Sequence, residues 1–170
     1  MTNSLISRAE ELVAARIPGN RKGSDKRAYM HSFEVRDLLQ SEGYSEEVCL
    51  AGLLHDVIED SETTFEELEE MGYSPRVLEL VRYCTHDNAI EGNDARWVCM
   101  MAGLVRGNDA EAWAIKISDI LCNIGDSDTM PADRRHILRF VKGRMLLSLT
   151  ERVLGETFLW KRLERACREV

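Results

Sequence analysis

Residues 51–60 read Ala-Gly-Leu-Leu-His-Asp-Val-Ile-Glu-Asp. An apolar run turns here into His55, Asp56, Glu59 and Asp60. The apolar flanks favour burial, yet buried carboxylates are costly singly and repel one another in a group. A metal ion is the commonest group that makes such a crowd tolerable. A fold for this chain must bury the run and still supply positive charge. The stretch therefore reads as the centre of a metal-dependent active site.

The remainder of the chain carries helical periodicity almost throughout. Leu5, Ile6, Ala9, Leu12, Val13 and Ile17 recur on one face, with Asn3 or Ser4 as cap, and Pro18-Gly19-Asn20 ends that helix. A basic polar loop, residues 21–27, leads into a helix carrying Tyr29, Met30, His31, Phe33, Val35, Leu38 and Leu39, closed by Gly43. Ser45 caps a central helix expected to reach about Glu59. Thr63 and Thr64 head two overlapping Thr-x-x-Glu capping boxes, and Ser74-Pro75 is a cap followed by proline at the first helical position. After a polar loop over residues 86–94, helices are expected from Ala95 to Val105 and, capped by Asp109, through Ile124. Pro131 opens a long basic helix that Gly155 interrupts. The last helix carries Phe158, Leu159, Leu163 and Ala166. Convincing strands, repeats and linkers do not emerge. The expectation is an all-α single domain over residues 1–170.

Global properties narrow the function classes. A net charge of −8 argues against nucleic-acid and membrane-surface partners, while leaving room for a small anionic substrate. No apolar run approaches the roughly 20 residues of a membrane span, and the N-terminal residues lack a secretory pattern. The 5 cysteines are scattered without a Cys-x-x-Cys pair, which suits reduced thiols in a cytoplasmic setting rather than a zinc or disulfide framework.

Helical spacing places His55 with Glu59, and Asp56 with Asp60, on common faces. His55 and Asp56 are neighbours about 100° apart around a helix, so both reach one metal only near its edge. Further ligands must come from other helices. His31 lies inside an otherwise apolar face, and Asp119 inside the apolar run 114–124, where Lys116, Asp119 and Asn123 share a face. A lone His in such a place is more often a satisfied core residue, and Asn123 can serve as a cap. Taken together, His31, His55, Asp56 and Asp119 form an imidazole–carboxylate set without thiolate. That composition suits Mn²⁺, Fe²⁺ or a hydrolytic Zn²⁺ site.

The order His … His-Asp … Asp is that of the HD phosphohydrolase superfamily. The longer strings Gly-Leu-Leu-His-Asp-Val-Ile-Glu-Asp-Ser and Lys-Ile-Ser-Asp-Ile-Leu-Cys-Asn resemble the hydrolase domain of RelA/SpoT proteins and their small stand-alone relatives. The resemblance is strongest over residues 18–145, with the C-terminal helices of 131–170 expected to pack onto that part. It implies an all-α HD-domain bundle of about 8 to 10 helices that binds Mn²⁺. It also implies removal of the 3′-pyrophosphate from guanosine tetra- and pentaphosphate, (p)ppGpp. By that resemblance His31, His55, Asp56 and Asp119 are metal ligands. Glu59 and Asp60 activate or orient the attacking water. Arg21, Lys22, Ser24 and Asn123 contact the guanine nucleotide. Departures from the family pattern are Ala28 ahead of Tyr29, Ser32 after His31, His86 after Thr85 and Ile120 after Asp119.

Other readings remain open at this level. The pocket of an HD phosphatase can serve another nucleotide: a 5′-monophosphate, a triphosphate or a nicotinamide dinucleotide phosphate. The same residues also suit a weakly active nucleotide-sensing module, or a partner-binding helical protein with a structural metal. Arg134, Arg135, Arg139 and Lys142 form a basic stripe that either faces phosphates or is a solvated face. His86 and His136 read as surface or loop residues, and Trp97, Trp113 and Trp160 as core or interface. Glu62, Glu66, Glu67, Glu69 and Glu70 read as a solvated acidic face.

Overall fold

A computed structural model describes residues 4–168. Its helices are α1 (Leu5–Arg16), α2 (Met30–Ser41), α3 (Glu46–Leu54), α4 (Val57–Asp60), α5 (Phe65–Glu70), α6 (Pro75–Cys84), α7 (Asn93–Gly107), α8 (Ala110–Gly125), α9 (Ala132–His136), α10 (Arg144–Leu154) and α11 (Phe158–Ala166). Strands are absent among the described residues, apart from an isolated antiparallel bridge between Asn20 and Arg27. The all-α expectation holds.

Local chemistry sets most helix starts. Ser4, Ser45, Thr64, Ser74, Asp109 and Thr157 each accept a main-chain N–H of the first turn through the side chain. Asn3, the alternative first cap, lies outside the described residues. Of the two Thr boxes only Thr64 caps; Thr63 is buried beside the Ser61 hydroxyl. Gly43 and Gly72 adopt positive φ where α2 and α5 end, a conformation that only glycine takes without strain.

Helix α8 is the axis of the bundle. It packs against α2, α3, α6, α10 and α11, and every residue from Ala112 to Ile120 is buried. A helix apolar all round belongs in an interior. Lys116 and Asp119 are tolerated there because they pair with each other at 2.8 Å. The α2–α3 contact is equally close. A Cβ on Gly52 would collide with the Leu39 side chain, so glycine lets the two helices approach and brings His31 alongside His55. Leu39, Leu53, Leu54, Leu80, Trp113 and Ile117 fill the space between these helices. Each such burial contributes about 1.5–3 kcal/mol. Leu146, Leu159 and Leu163 of the C-terminal helices join the same cluster.

Two expectations need correction. The central helix does not run to Glu59. It stops at Leu54, passes through a turn at His55-Asp56 and resumes as α4. Gly52 is part of the reason: its carbonyl oxygen accepts from His55 Nδ1 at 2.7 Å. The long basic helix is interrupted by a π-helical stretch, Ile137–Gly143. There the Gly143 backbone lies so close to Cys167 Sγ that a Cβ would not fit. Phe158 is 80% exposed, because it opens α11 while Leu159 and Leu163 take the core side.

Candidate functional site

The break after Leu54 shapes the centre. Within a continuous helix His55 and Asp56 would diverge. At the turn His55 Nε2 and Asp56 Oδ1 come within 3.1 Å. Helix α2 supplies His31, whose Nε2 lies 3.8 Å from Asp56 Oδ2 and 3.1 Å from Asp119 Oδ1 of α8. Asp119 Oδ1 is also 3.9 Å from His55 Nε2. Three elements, α2, the α3–α4 turn and α8, thus bring two imidazoles and two carboxylates to one point, and the donor atoms of His31, His55 and Asp56 all fall within 4.8 Å of one another.

These residues fit a divalent metal. His55 Nδ1–H donates to the Gly52 carbonyl, so that once the ring is neutral its lone pair is on the buried Nε2, the atom that faces Asp56 and Asp119. Mixed imidazole–carboxylate donors suit a borderline or hard cation. The electrostatics show what such a cation would relieve. Burial alone would lower the His55 pKa, but the Asp56 and Asp119 carboxylates outweigh it and push it up to about 9. Burial raises the Asp119 carboxyl; the Lys116 ammonium and the two imidazoles override that and hold it well below the usual carboxylate range. Asp56 is likewise lowered, with His55 outweighing burial. The site holds positive charge strongly.

Beside this centre opens a cavity of about 860 Å³. His31, Asp56 and Asp119 line it; His55 lies one layer behind, 1% exposed. Glu59 and Asp60, one turn beyond, line the same cavity. The Asp60 carboxyl is raised by burial and by the charges of Asp56 and Glu59. Arg21, Lys22, Ser24 and Asn123 form the adjoining wall. Arg21 Nη2 donates to Asn123 Oδ1 at 2.5 Å, and Asn123 Nδ2 donates to Asp119 Oδ1 at 2.5 Å. Main-chain bonds from Arg21 N–H to the Lys26 carbonyl and from Ala28 N–H to the Gly19 carbonyl fold residues 19–28 into a tight loop. Lys26 pins it by pairing with Glu34 and Asp126. The Ser24 hydroxyl accepts from Lys26 N–H, so it shapes the loop as well as facing the cavity. Every site residue expected from the sequence therefore lies in or directly behind one cavity.

Sequence reasoning missed part of the opposite wall. His86 does lie in a loop, after α6, and is partly exposed, but it also faces inward: its main-chain N–H and its Nδ1 each lie 2.6 Å from an oxygen of Glu59. Trp97 is buried as expected, yet it also faces the cavity, with Lys142 Nζ 4.3 Å and Lys116 Nζ 5.1 Å from its ring centroid. Burial and the neighbouring Lys116 lower the Lys142 pKa. Among the described residues Lys142 forms no ion pair. Of the basic stripe, Arg134 and Lys142 line the cavity and Arg135 and Arg139 do not. The sequence of residues 137–143 carries no mark of the π turn that brings Lys142 to the cavity, because only tertiary packing creates it. His136 is exposed, as are Glu62, Glu66, Glu69 and Glu70, while Glu67 pairs with Arg16.

The chain is similar to known proteins. A family model described as HD domain matches residues 8–137. The guanosine-3′,5′-bis(diphosphate) 3′-pyrophosphohydrolase MESH1 of Drosophila melanogaster is 32% identical over 109 residues. The matched stretch is 62% of this chain and spans 59% of that curated relative's length. A solved structure described as a metazoan ortholog of SpoT that hydrolyzes ppGpp superposes with a TM-score of 0.81 at 24% identity, covering 99% of this chain and 97% of that one. A Listeria monocytogenes EGD-e protein superposes with a TM-score of 0.69 at 22% identity, covering 88% and 97%. At these identities the structural likeness is one of fold.

Proposed function

Because the chain belongs to the HD domain family, we propose that it is a Mn²⁺-dependent phosphohydrolase that removes the 3′-pyrophosphate of (p)ppGpp. The single observation that carries this reading is the cavity itself, where a four-residue metal cradle meets two carboxylates and a cationic wall. The likeness to MESH1 supports the choice of substrate. One domain over residues 1–170, working in the cytoplasm, is the simplest setting. Among the described residues no helix is long and apolar enough to cross a membrane.

His31, His55, Asp56 and Asp119 would hold the metal, which supplies Lewis acidity and lowers the pKa of water. Glu59 and Asp60 orient the attacking water and accept its proton. The water oxygen bonds to the phosphorus carried by the 3′ oxygen, and the bond from that phosphorus to O3′ breaks. Pyrophosphate leaves intact, O3′ takes up a proton, and a nucleoside 5′-diphosphate remains from the tetraphosphate. Arg21, Lys22 and Lys142 offset the charge of a substrate phosphorylated at two places. Asn123 ties the nucleotide wall to Asp119.

The test is to incubate the protein with Mn²⁺ and ppGpp and resolve the products. Pyrophosphate and GDP in equal amounts are expected. Orthophosphate as the product, or release only from a nicotinamide dinucleotide phosphate, overturns the substrate assignment.

A further inference from the structure

Glu59 and His86 meet across 27 positions of sequence. Glu59 belongs to α4; His86 follows Thr85, the residue that ends α6 in extended conformation. The anchorage is firm, since α6 packs on α3 and α8 and the Thr85 hydroxyl donates to the Val81 carbonyl at 2.9 Å. From that anchor His86 reaches both carboxylate oxygens of Glu59. Its main-chain N–H donates to Oε1 and its Nδ1 contacts Oε2, each at 2.6 Å. An ionised carboxylate only accepts, so Nδ1 must carry the proton. The side chains are 24% and 18% exposed, partly shielded from competing water. His86 Nε2 is buried without a partner, so Glu59 is the ring's sole side-chain hydrogen-bond partner among the described residues.

Two donors on two oxygens fix both the position and the plane of a carboxylate. Each oxygen keeps a second lone pair, and the cavity lies beside them. We propose that His86 is a positioning residue that locks the Glu59 carboxylate in the orientation from which it holds the attacking water. This inference rests on the catalytic reading of Glu59. A glutamate free to rotate would spend most of its time in other rotamers, and misplacement by about 1 Å can cost on the order of a hundredfold in rate. The main-chain bond survives any substitution at position 86 except proline, whereas the side-chain bond survives only where the new residue offers an N–H in its place. Asparagine is the informative replacement, because its side-chain amide can place an N–H near the position of Nδ1.

The test has two arms. In the first, ¹⁵N-labelled histidine reports the tautomer of His86 in wild type and in Glu59→Ala, which removes the acceptor altogether. Protonation at Nδ1 that is lost or weakened in Glu59→Ala supports the pairing. A ring protonated at Nε2 alone, or one indifferent to Glu59→Ala, overturns it. The second arm measures Mn²⁺-dependent turnover of ppGpp. His86→Ala is expected to lower kcat roughly ten- to hundredfold, with KM and metal affinity within about twofold, and His86→Asn to recover most of that loss. Full kcat in His86→Ala, or His86→Asn no better than His86→Ala in a folded protein, overturns the proposal. If wild type itself does not hydrolyse ppGpp, the functional assignment fails, while the tautomer result still decides whether His86 holds Glu59.

Discussion

The two walls of the cavity are built in different ways. One wall is α2, the α3–α4 turn and α8, where His31, His55 and Asp119 are buried and held by neighbouring helices. The other is assembled from the loop at 19–28, the segment after α6, the start of α7 and the π-helical stretch. Apart from buried Trp97, its side chains are more exposed, Lys22 among them. Helical walls place atoms accurately, whereas loops accept substitution without disturbing the core. Two of the departures from the RelA/SpoT pattern, Ala28 and His86, enter the cavity from that second region, while Ser32 borders it from α2 and Ile120 from α8. On the proposed function, the metal-binding set belongs to the core wall, while the assembled wall supplies the cations that meet substrate and the His86 support of Glu59.

That division can be broken by mutation. Asp119→Ala removes a carboxylate from the core wall and leaves buried Lys116 without its partner. It is expected to abolish detectable metal binding and to lower turnover by at least about a thousandfold. Full activity with metal retained would show that the ligands lie elsewhere. Lys142→Ala acts on the other wall. It should raise KM roughly tenfold or more, from the loss of one charge-assisted contact, and change kcat little. A collapse of kcat at unchanged KM would erase the distinction between the walls.

Acidity sharpens the same contrast. Without metal, His55 keeps its proton up to about pH 9, well above its ordinary value of 6.5. The contacts of this imidazolium stabilise the metal-free fold fully below about pH 6.5, and that contribution is lost as pH rises through about 9. A metal must displace the proton, so its affinity should weaken by about tenfold per pH unit on the acid side of 9. Calorimetric titration in buffers of differing ionisation enthalpy would register the released proton; a pH-independent affinity counts against His55 as a ligand. Lys22→Ala, at the exposed rim, should be the mildest change. A loss of about two- to fivefold in kcat/KM, diminishing with added salt, is expected.

What could be read from the sequence was what local chemistry decides. Ser45, Ser74 and Asp109 announce helix starts because a cap acts within three residues. His31, His55, Asp56 and Asp119 stood out because charge in an apolar run needs a reason. The turn at His55 was not legible: helical periodicity continues through it, and the break accompanies a ring that bonds a carbonyl of its own helix. His86 was hidden for another reason. Its partner is distant in sequence, and nothing in Thr-His-Asp-Asn marks a residue that closes on a carboxylate. The π turn before Gly143 was equally silent, since the crowding against Cys167 exists only after α11 has docked.

The short chain of bonds from Arg21 through Asn123 to Asp119 carries one more consequence. A nucleotide that draws the Arg21 guanidinium toward a phosphate would release the Asn123 carbonyl and alter what Asp119 shares with the metal. The two bound species would then not be independent. Thermodynamic reciprocity requires that whatever factor the nucleotide applies to metal affinity, the metal applies to nucleotide affinity. In an Asn123→Ala protein both factors should move toward unity together.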